Sequence, residues 1–378
     1  MIYLDFAATT PMSDEALAVF TKIARHVYGN ASSLHDIGSS ADNLLEAARE
    51  EIAKLLHGET NGIYFTSGGS ESNILALQSL LEANREKGNH VITTRCEHAS
   101  VYNLFRKWEQ SGLSVTYLPL NGQGEVDTEA LIQAIRPDTI LASIQYVNSE
   151  IGTIQPIAQI GEILHERDVI FHCDAVQAFG KLPIDVRRLR IDALSVSSHK
   201  IYGPKGVGAV YINPRRKWMA QFPGTTHENG FRPGTVNVPG IAAFTAAAQA
   251  IYNTMDEERE RLHCLRDTLI RELQNIPHAQ VVLEGDPRRT LPAIAGLRIV
   301  GLEGQLAMLE CNRYGVAIST GSACAVGSQE PSRTMKAMGR SDEEAKQFIR
   351  LSFGKTTTKE DVLRAAAVLR SIAEAYFG

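Results

Sequence analysis

Lys200 stands in "SVSSHKIYGPKGVGAVYI", directly after an apolar strand-like run and two hydroxyl residues, and just before a glycine-rich return into the next such run. A lysine held at a strand end among small residues is partly desolvated. Its pKa falls, and it supplies a neutral amine able to form a Schiff base with a carbonyl compound. Alone it would read as a solvated loop lysine, but its companions point elsewhere. In "FHCDAVQAFGKLPID", Asp174 ends another strand-like run shortly before Gln177. A carboxylate so placed can keep the ring nitrogen of a pyridine cofactor protonated; it could also cap a helix. His172, Cys173 and Asp174 are adjacent on a strand and so alternate between its faces, which argues against a metal site. "YFTSGGSESNILAL" runs from a strand through Gly68, Gly69 and Ser70 into a helix with Glu71 in its first turn. Exposed amides and the helix dipole make such a turn a phosphate cradle, and Ser197 and His199, close to Lys200, could add donors to the same phosphate. His98, in "TTRCEHASVYN", could stack on a planar cofactor and move protons near neutral pH, or simply bond to a helix end.

A thiol completes the set. Cys324 lies in "STGSACAVGSQEPS", a stretch with neither helical nor strand periodicity and almost nothing large and apolar to bury it. Its flankers Ser319, Gly321, Ser322, Gly327 and Ser328 permit movement and leave the sulfur accessible, so its reactivity rests on forming the thiolate. Cys173 and Cys311 sit in apolar contexts that favour inert thiols, and Cys96 and Cys264 lack comparable surroundings. The five cysteines are odd in number, widely spaced and without a C-x-x-C pair, which argues against disulfide frameworks and zinc ribbons and for reduced thiols.

These residues must be positioned by elements, and the elements are legible. Seven apolar runs, "GIYFTS", "HVITT", "SVTYLPL", "TILASIQYV", "VIFHCDA", "DALSVSS" and "GVGAVYI", alternate with helical patterns, including helices from about Glu71 and about Ser100. The alternation predicts an α/β fold with a mostly parallel sheet covered on both faces and a ligand site where strands end. Beyond about Ile251 the texture changes to the charged amphipathic "MDEERERLHCLRDTLIRELQNI", then "AIAGLRIV", "GVAIST" and a helix from about Lys359, read as a second, smaller α+β domain. With 378 residues, 44% hydrophobic and 21% charged, the chain is long enough for two such domains. A net charge of -5 and no basic block give no reason to expect DNA as a partner. No apolar run reaches the roughly 18 residues of a membrane span, and "MIYLDFAATTP" is unlike a secretory signal, so the expectation is a cytoplasmic protein without a membrane partner.

In order along the chain, "YLDFAATTP", "GNASSLH", "SGGSESN", "CEHAS", "HCDAVQAFGKLPID", "SSHKIYGPKG", "FRPGTVN", "STGSACAVGSQEPS" and "IRLSFGKTTT" resemble the NifS/IscS-type cysteine desulfurases. These are pyridoxal 5'-phosphate enzymes of aminotransferase fold type I, class V. The resemblance spans essentially the whole chain. It implies a large cofactor-binding domain over 13–252, with a seven-stranded sheet between helices. The smaller domain would comprise 1–12 and 253–378 and carry the cysteine loop at about 319–332.

By the same resemblance Lys200 would hold the cofactor, Asp174 would pair with its ring nitrogen, His98 would stack on the ring and move protons, and Gln177 would touch its phenolic oxygen. Gly69, Ser70, Ser197 and His199 would bind the phosphate, joined by Thr235 from the second subunit of a homodimer. Arg350 would clamp the substrate α-carboxylate, a task suited to its bidentate fork, and Asn30 would be a substrate-side polar residue, although Ala31 stands where the family usually has proline. A departure falls in "VNSEIG", where the family commonly has two asparagines: Asn148 is followed by Ser149. Register gives the cofactor contact to Ser149, with a shorter reach, and leaves Asn148 a neighbour. The implied reaction converts L-cysteine to L-alanine and leaves the sulfur on Cys324 as a persulfide. Delivery to an acceptor protein would follow, such as an iron–sulfur scaffold or an apo iron–sulfur enzyme. Two other readings stand beside it: another fold-type I enzyme, such as an aminotransferase or a selenocysteine or cysteine-sulfinate lyase, and a non-catalytic scaffold.

Overall fold

The structure, a computed structural model, describes residues 1–274, 276–321 and 331–378. All seven apolar runs form strands of one sheet. They are β2 (Ile63–Thr66), β3 (His90–Thr94), β4 (Ser114–Leu118), β5 (Thr139–Ser143), β6 (Ile170–Asp174), β7 (Ala193–Ser197) and β8 (Gly208–Ile212), after a short β1 (Ile2–Tyr3). The sheet order is β2-β8-β7-β6-β5-β3-β4. From β7 to β4 all pairs are parallel, and β8 is antiparallel to both β2 and β7. Every residue of β5, β6 and β7 is buried, because helices cover both faces of these strands.

The sheet order fixes where a ligand can sit. From β3 the chain moves outward to β4, then returns to the other side of β3 as β5. At such a switch point the connections leave in opposite directions, and a crevice opens beyond the strand ends. The segments following β3, β5, β6 and β7 carry His98, Ser149, Asp174 to Gln177, and Lys200 into that crevice.

The remainder supports it from the side. Here β9 (Val281–Leu283), which the sequence pattern did not indicate, and β12 (Phe348–Ser352) flank β10 (Ile294–Ile299) in an antiparallel sheet. The charged helix expected after Ile251 is Met255–Leu273, and the last helix begins at Lys359 behind a capping box of Thr358 and Asp361. β1 pairs in parallel with β11 (Val316–Ala317), which draws the N-terminal segment across to the C-terminal part and places Ala7 and Ala8 in the crevice. One hydrophobic cluster runs from Leu4 through Phe171 and Leu194 to Leu369.

A buried ion pair anchors the loop before the helix Val238–Asn253. Glu228, with positive φ, accepts from Arg49 at 2.8 and 3.1 Å and from the Phe65 amide at 2.6 Å, and Arg49 also donates to the Ile63 carbonyl. The two side chains are 6% and 1% exposed. Replacing Glu228 by alanine leaves the buried Arg49 with only the half-exposed Glu46, 3.0 Å from its Nε, and strips the Phe65 amide of its acceptor, and is expected to destabilise the protein by about 3 kcal/mol. A urea melt that shifts by less than about 1 kcal/mol would show the pair to be dispensable.

Candidate active site

A cavity of about 310 Å³ opens at the switch point. Of the residues picked out from the sequence, it gathers Lys200, Asp174, His98, Gln177, Ser149 and Arg350, together with Gly69, Ser70, Ser197 and His199, which also border a second hollow. Strand ends and helix starts supply nearly all of them, since an approaching ligand meets the backbone there before any side-chain layer covers it.

Lys200 follows β7 in a single 3-10 turn, Ser198–Lys200. Its Nζ donates to the carbonyls of Ala7 at 2.5 Å and Ala8 at 2.7 Å, so a segment far away in sequence holds the amine at the cavity wall. Asp174 is 6% exposed. One carboxylate oxygen accepts from the Val176 amide and the other from Asn73 Nδ2 at 2.8 Å, leaving lone pairs for a further donor. His98 caps the helix Ala99–Gln110: its Nδ1 accepts from the Ser100 amide, which leaves the proton of a neutral ring on Nε2. The helix-end role weighed from the sequence and a place on the cavity wall are thus filled by one residue.

The hollow bordered by Gly69, Ser70, Ser197 and His199 suits a phosphate. Gly68, at φ 147°, opens the helix Gly69–Ala83 with no side-chain cap. Its first amides are therefore available to an anion. A Cβ on Gly69 would meet Val176 at 2.7 Å, so glycine keeps the cradle open. Ser197 Oγ is buried without a hydrogen-bond partner among the described residues, a donor that a phosphate oxygen would satisfy. Burial and the nearby Lys200, Lys205 and Lys181 charges push His199 down to about 4, so it stands neutral, with Nδ1 3.1 Å from Thr9 Oγ1. Together with Asp174 set apart from this cradle, the donor set fits pyridoxal phosphate.

Arg350 lies on β12 and is 2% exposed. Its fork donates to Asp5 Oδ1 at 2.6 Å and to the carbonyls of Ser149 at 2.8 Å and Gly321 at 3.2 Å. Any other carboxylate taking this end of the fork would have to displace that of Asp5.

Some expected residues lie elsewhere. Asn148 does not line the cavity: its Oδ1 accepts from the Glu150 and Ile151 amides and its Nδ2 donates to Thr334 Oγ1, so it braces the turn after β5. Ser149, the next residue, does line it. Asn30 is exposed and its Oδ1 accepts from the Ser32 amide. Thr235 is exposed and outside the cavity. Gln177 reaches the wall, but its carboxamide is bound at both ends, donating to the Ala7 carbonyl and accepting from Lys181 Nζ. Cys324, Ser322, Gly327 and Ser328 lie outside the described residues.

Residues 2–364 match the family described as aminotransferase class-V. The chain belongs to that family. It is similar to the putative cysteine desulfurase NifS of Bacillus subtilis (strain 168), 52% identical over 96% of this chain and 92% of the relative. Among solved structures it is similar to one titled "NIFS-LIKE PROTEIN", with a TM-score of 0.92 and 30% identity over 99% of each chain. Another, titled "SspA in complex with cysteine", has a TM-score of 0.83 and 33% identity over 93% of this chain and 99% of that one.

On this class-V scaffold the cavity also holds polar residues that the sequence reading passed over. Glu97 is 2% exposed. Its Oε1 accepts from Thr94 Oγ1 and the Gln145 amide, and its Oε2 is buried without a partner among the described residues. Burial, reinforced by Asp174, raises its pKa to about 8, so it holds a proton at neutral pH. The signal was an acidic residue directly before His98 in "CEHAS", at a strand end. Glu150, also raised by burial, accepts from Ser332 Oγ, and Arg333 follows that serine; nothing local in sequence marks either as facing Lys200.

Proposed function

We propose that this class-V protein is a cysteine desulfurase, converting L-cysteine to L-alanine and passing the sulfur to an enzyme thiol. The observation that carries this reading is the convergence of a lysine amine, a buried aspartate, a phosphate cradle and an arginine on one cavity at the switch point. Pyridoxal phosphate, when bound, supplies a carbonyl for amine exchange and an electron sink that weakens the bonds around the substrate's α and β carbons. This chain's residues do the rest. Gly69, Ser70 and Ser197 would bind the phosphate, Asp174 would hold the ring nitrogen's proton, and Arg350 would orient the substrate carboxylate. Lys200 and His98, on the same cavity wall, move protons to and from the substrate carbons.

Cys324, on the sequence reading, is the acceptor. Its thiolate attacks the substrate sulfur, the carbon–sulfur bond breaks with its electron pair going to carbon, and protonation there gives alanine. The enzyme keeps the sulfur as a persulfide, and no external oxidant or reductant enters. A sulfur-accepting protein of iron–sulfur assembly would then discharge it. The exposed position of Thr235, away from its own cavity, supports a homodimer in which it completes the other subunit's phosphate site. The free thiols among the described residues fit a reducing, cytoplasmic setting.

Single-turnover reaction of the purified holoprotein with L-cysteine, followed by intact mass and alanine assay, tests this reading. One sulfur gained per subunit with one alanine released is the expected result. Bound cofactor with neither product would remove it.

A further inference from the structure

Arg333 lines the cavity yet takes no part in the interactions described so far. Its guanidinium carbon lies over the Tyr102 ring, 4.3 Å from the centroid. A cation–π contact of this kind uses no hydrogen-bond acceptor and so leaves the N–H donors of the group available. Among the described residues no carboxylate lies within ion-pair distance of it, although Glu97 and Glu150 are close enough to feel its charge. Burial of Glu97 keeps that carboxyl protonated near neutrality, so it does not cancel the arginine.

The residue is also held in place. Ser332 caps the helix Arg333–Ala337, accepting from the Met335 amide and donating to Glu150. On the other side Thr334 accepts from Asn148, and Met335 is fully buried. Arg350 offers the contrast: it is 2% exposed and its fork already holds Asp5 and two carbonyls. Arg333 is partly exposed and unengaged by any acceptor among the described residues, so it can take an anion without giving up a partner.

We propose that Arg333 is a second carboxylate-binding residue of this cavity, which shares with Arg350 the α-carboxylate of the bound amino acid. The assignment of the ligand rests on the desulfurase reading. Its physical content is a second cationic fork in the same cavity, with no acceptor on it among the described residues.

The holoprotein with Arg333→Gln and Arg333→Lys decides it. With Gln, KM for L-cysteine rises about tenfold while kcat stays within about twofold, the size of one lost charge-assisted contact. Lys restores most of the affinity, and the increase of KM with ionic strength flattens in the Gln variant. L-Alanine, titrated against the visible absorbance of the bound cofactor, shows the same tenfold weakening without relying on turnover. Unchanged KM and unchanged L-alanine affinity would overturn the proposal, as would a loss of kcat that Lys does not repair. Wild-type protein that binds L-alanine but releases none from L-cysteine would instead sink the desulfurase reading, and the titration would still judge Arg333.

Discussion

Cys324→Ala protein is expected to retain its cofactor and bind L-cysteine, yet gain no sulfur, with alanine release slowed on the order of 10³-fold or more. No other thiol is placed to substitute. Cys96 lines the cavity, but burial beside Glu97 pushes its pKa up to about 12, and its sulfur is bonded to Thr94 and Gln145. At that pKa only about one thiol in 10⁵ is a thiolate at neutral pH. Cys173 is completely buried and shifted well above its ordinary value, and Cys311 is pushed up to about 12. Cys264 is exposed, on the helix Met255–Leu273, and does not line the cavity. Intact mass after one turnover reads the result directly. A variant that gains one sulfur at the wild-type rate would assign the nucleophile elsewhere.

Lys200→Ala should abolish covalent attachment of the cofactor and slow turnover by a comparable factor, since one amine serves both as anchor and as proton carrier. Borohydride reduction followed by intact mass is the check: the wild type gains the mass of the reduced cofactor, and the variant gains nothing. Lys181 is the amine most able to replace it chemically, because burial and the charge of Lys200 lower its pKa to about 7. Geometry forbids the exchange. Lys181 Nζ is bonded to Gln177 Oε1 and the side chain does not line the cavity. Reduced cofactor found on Lys181 of the variant would show that this wall is looser than the structure describes. Lys200→Arg should fare no better, because a guanidinium keeps the charge but has no neutral amine to offer.

Much of the architecture was legible because it is local. The seven apolar runs are short and bounded by turn residues, all but the edge strand β4 are buried throughout, and each became a strand of the large sheet. Lys200 and His98 follow such runs within a few residues and Asp174 ends one, so a parallel sheet brings them to one end whatever the details of packing. The phosphate cradle is likewise a property of one βα turn. The short β9 escaped notice because its pairing with β10, not its composition, makes it a strand.

What the sequence left open depends on groups far apart in the chain. Asp5 meets Arg350 only because β1 is carried across to β11, and Lys200 is held by the carbonyls of Ala7 and Ala8 for the same reason. Register left Asn148 a neighbour of the cofactor contact, and what it does there came only from the fold, which closes the turn after β5 onto Thr334 and engages its whole carboxamide. Glu97 and Arg333 became cavity residues through burial and stacking that no spacing encodes. Sequence determined which chemical groups stand at the strand ends, because a strand and its following turn are set by neighbouring residues. Tertiary structure alone decided which of those groups have unengaged hydrogen-bonding capacity, because that depends on which distant atoms reach them first.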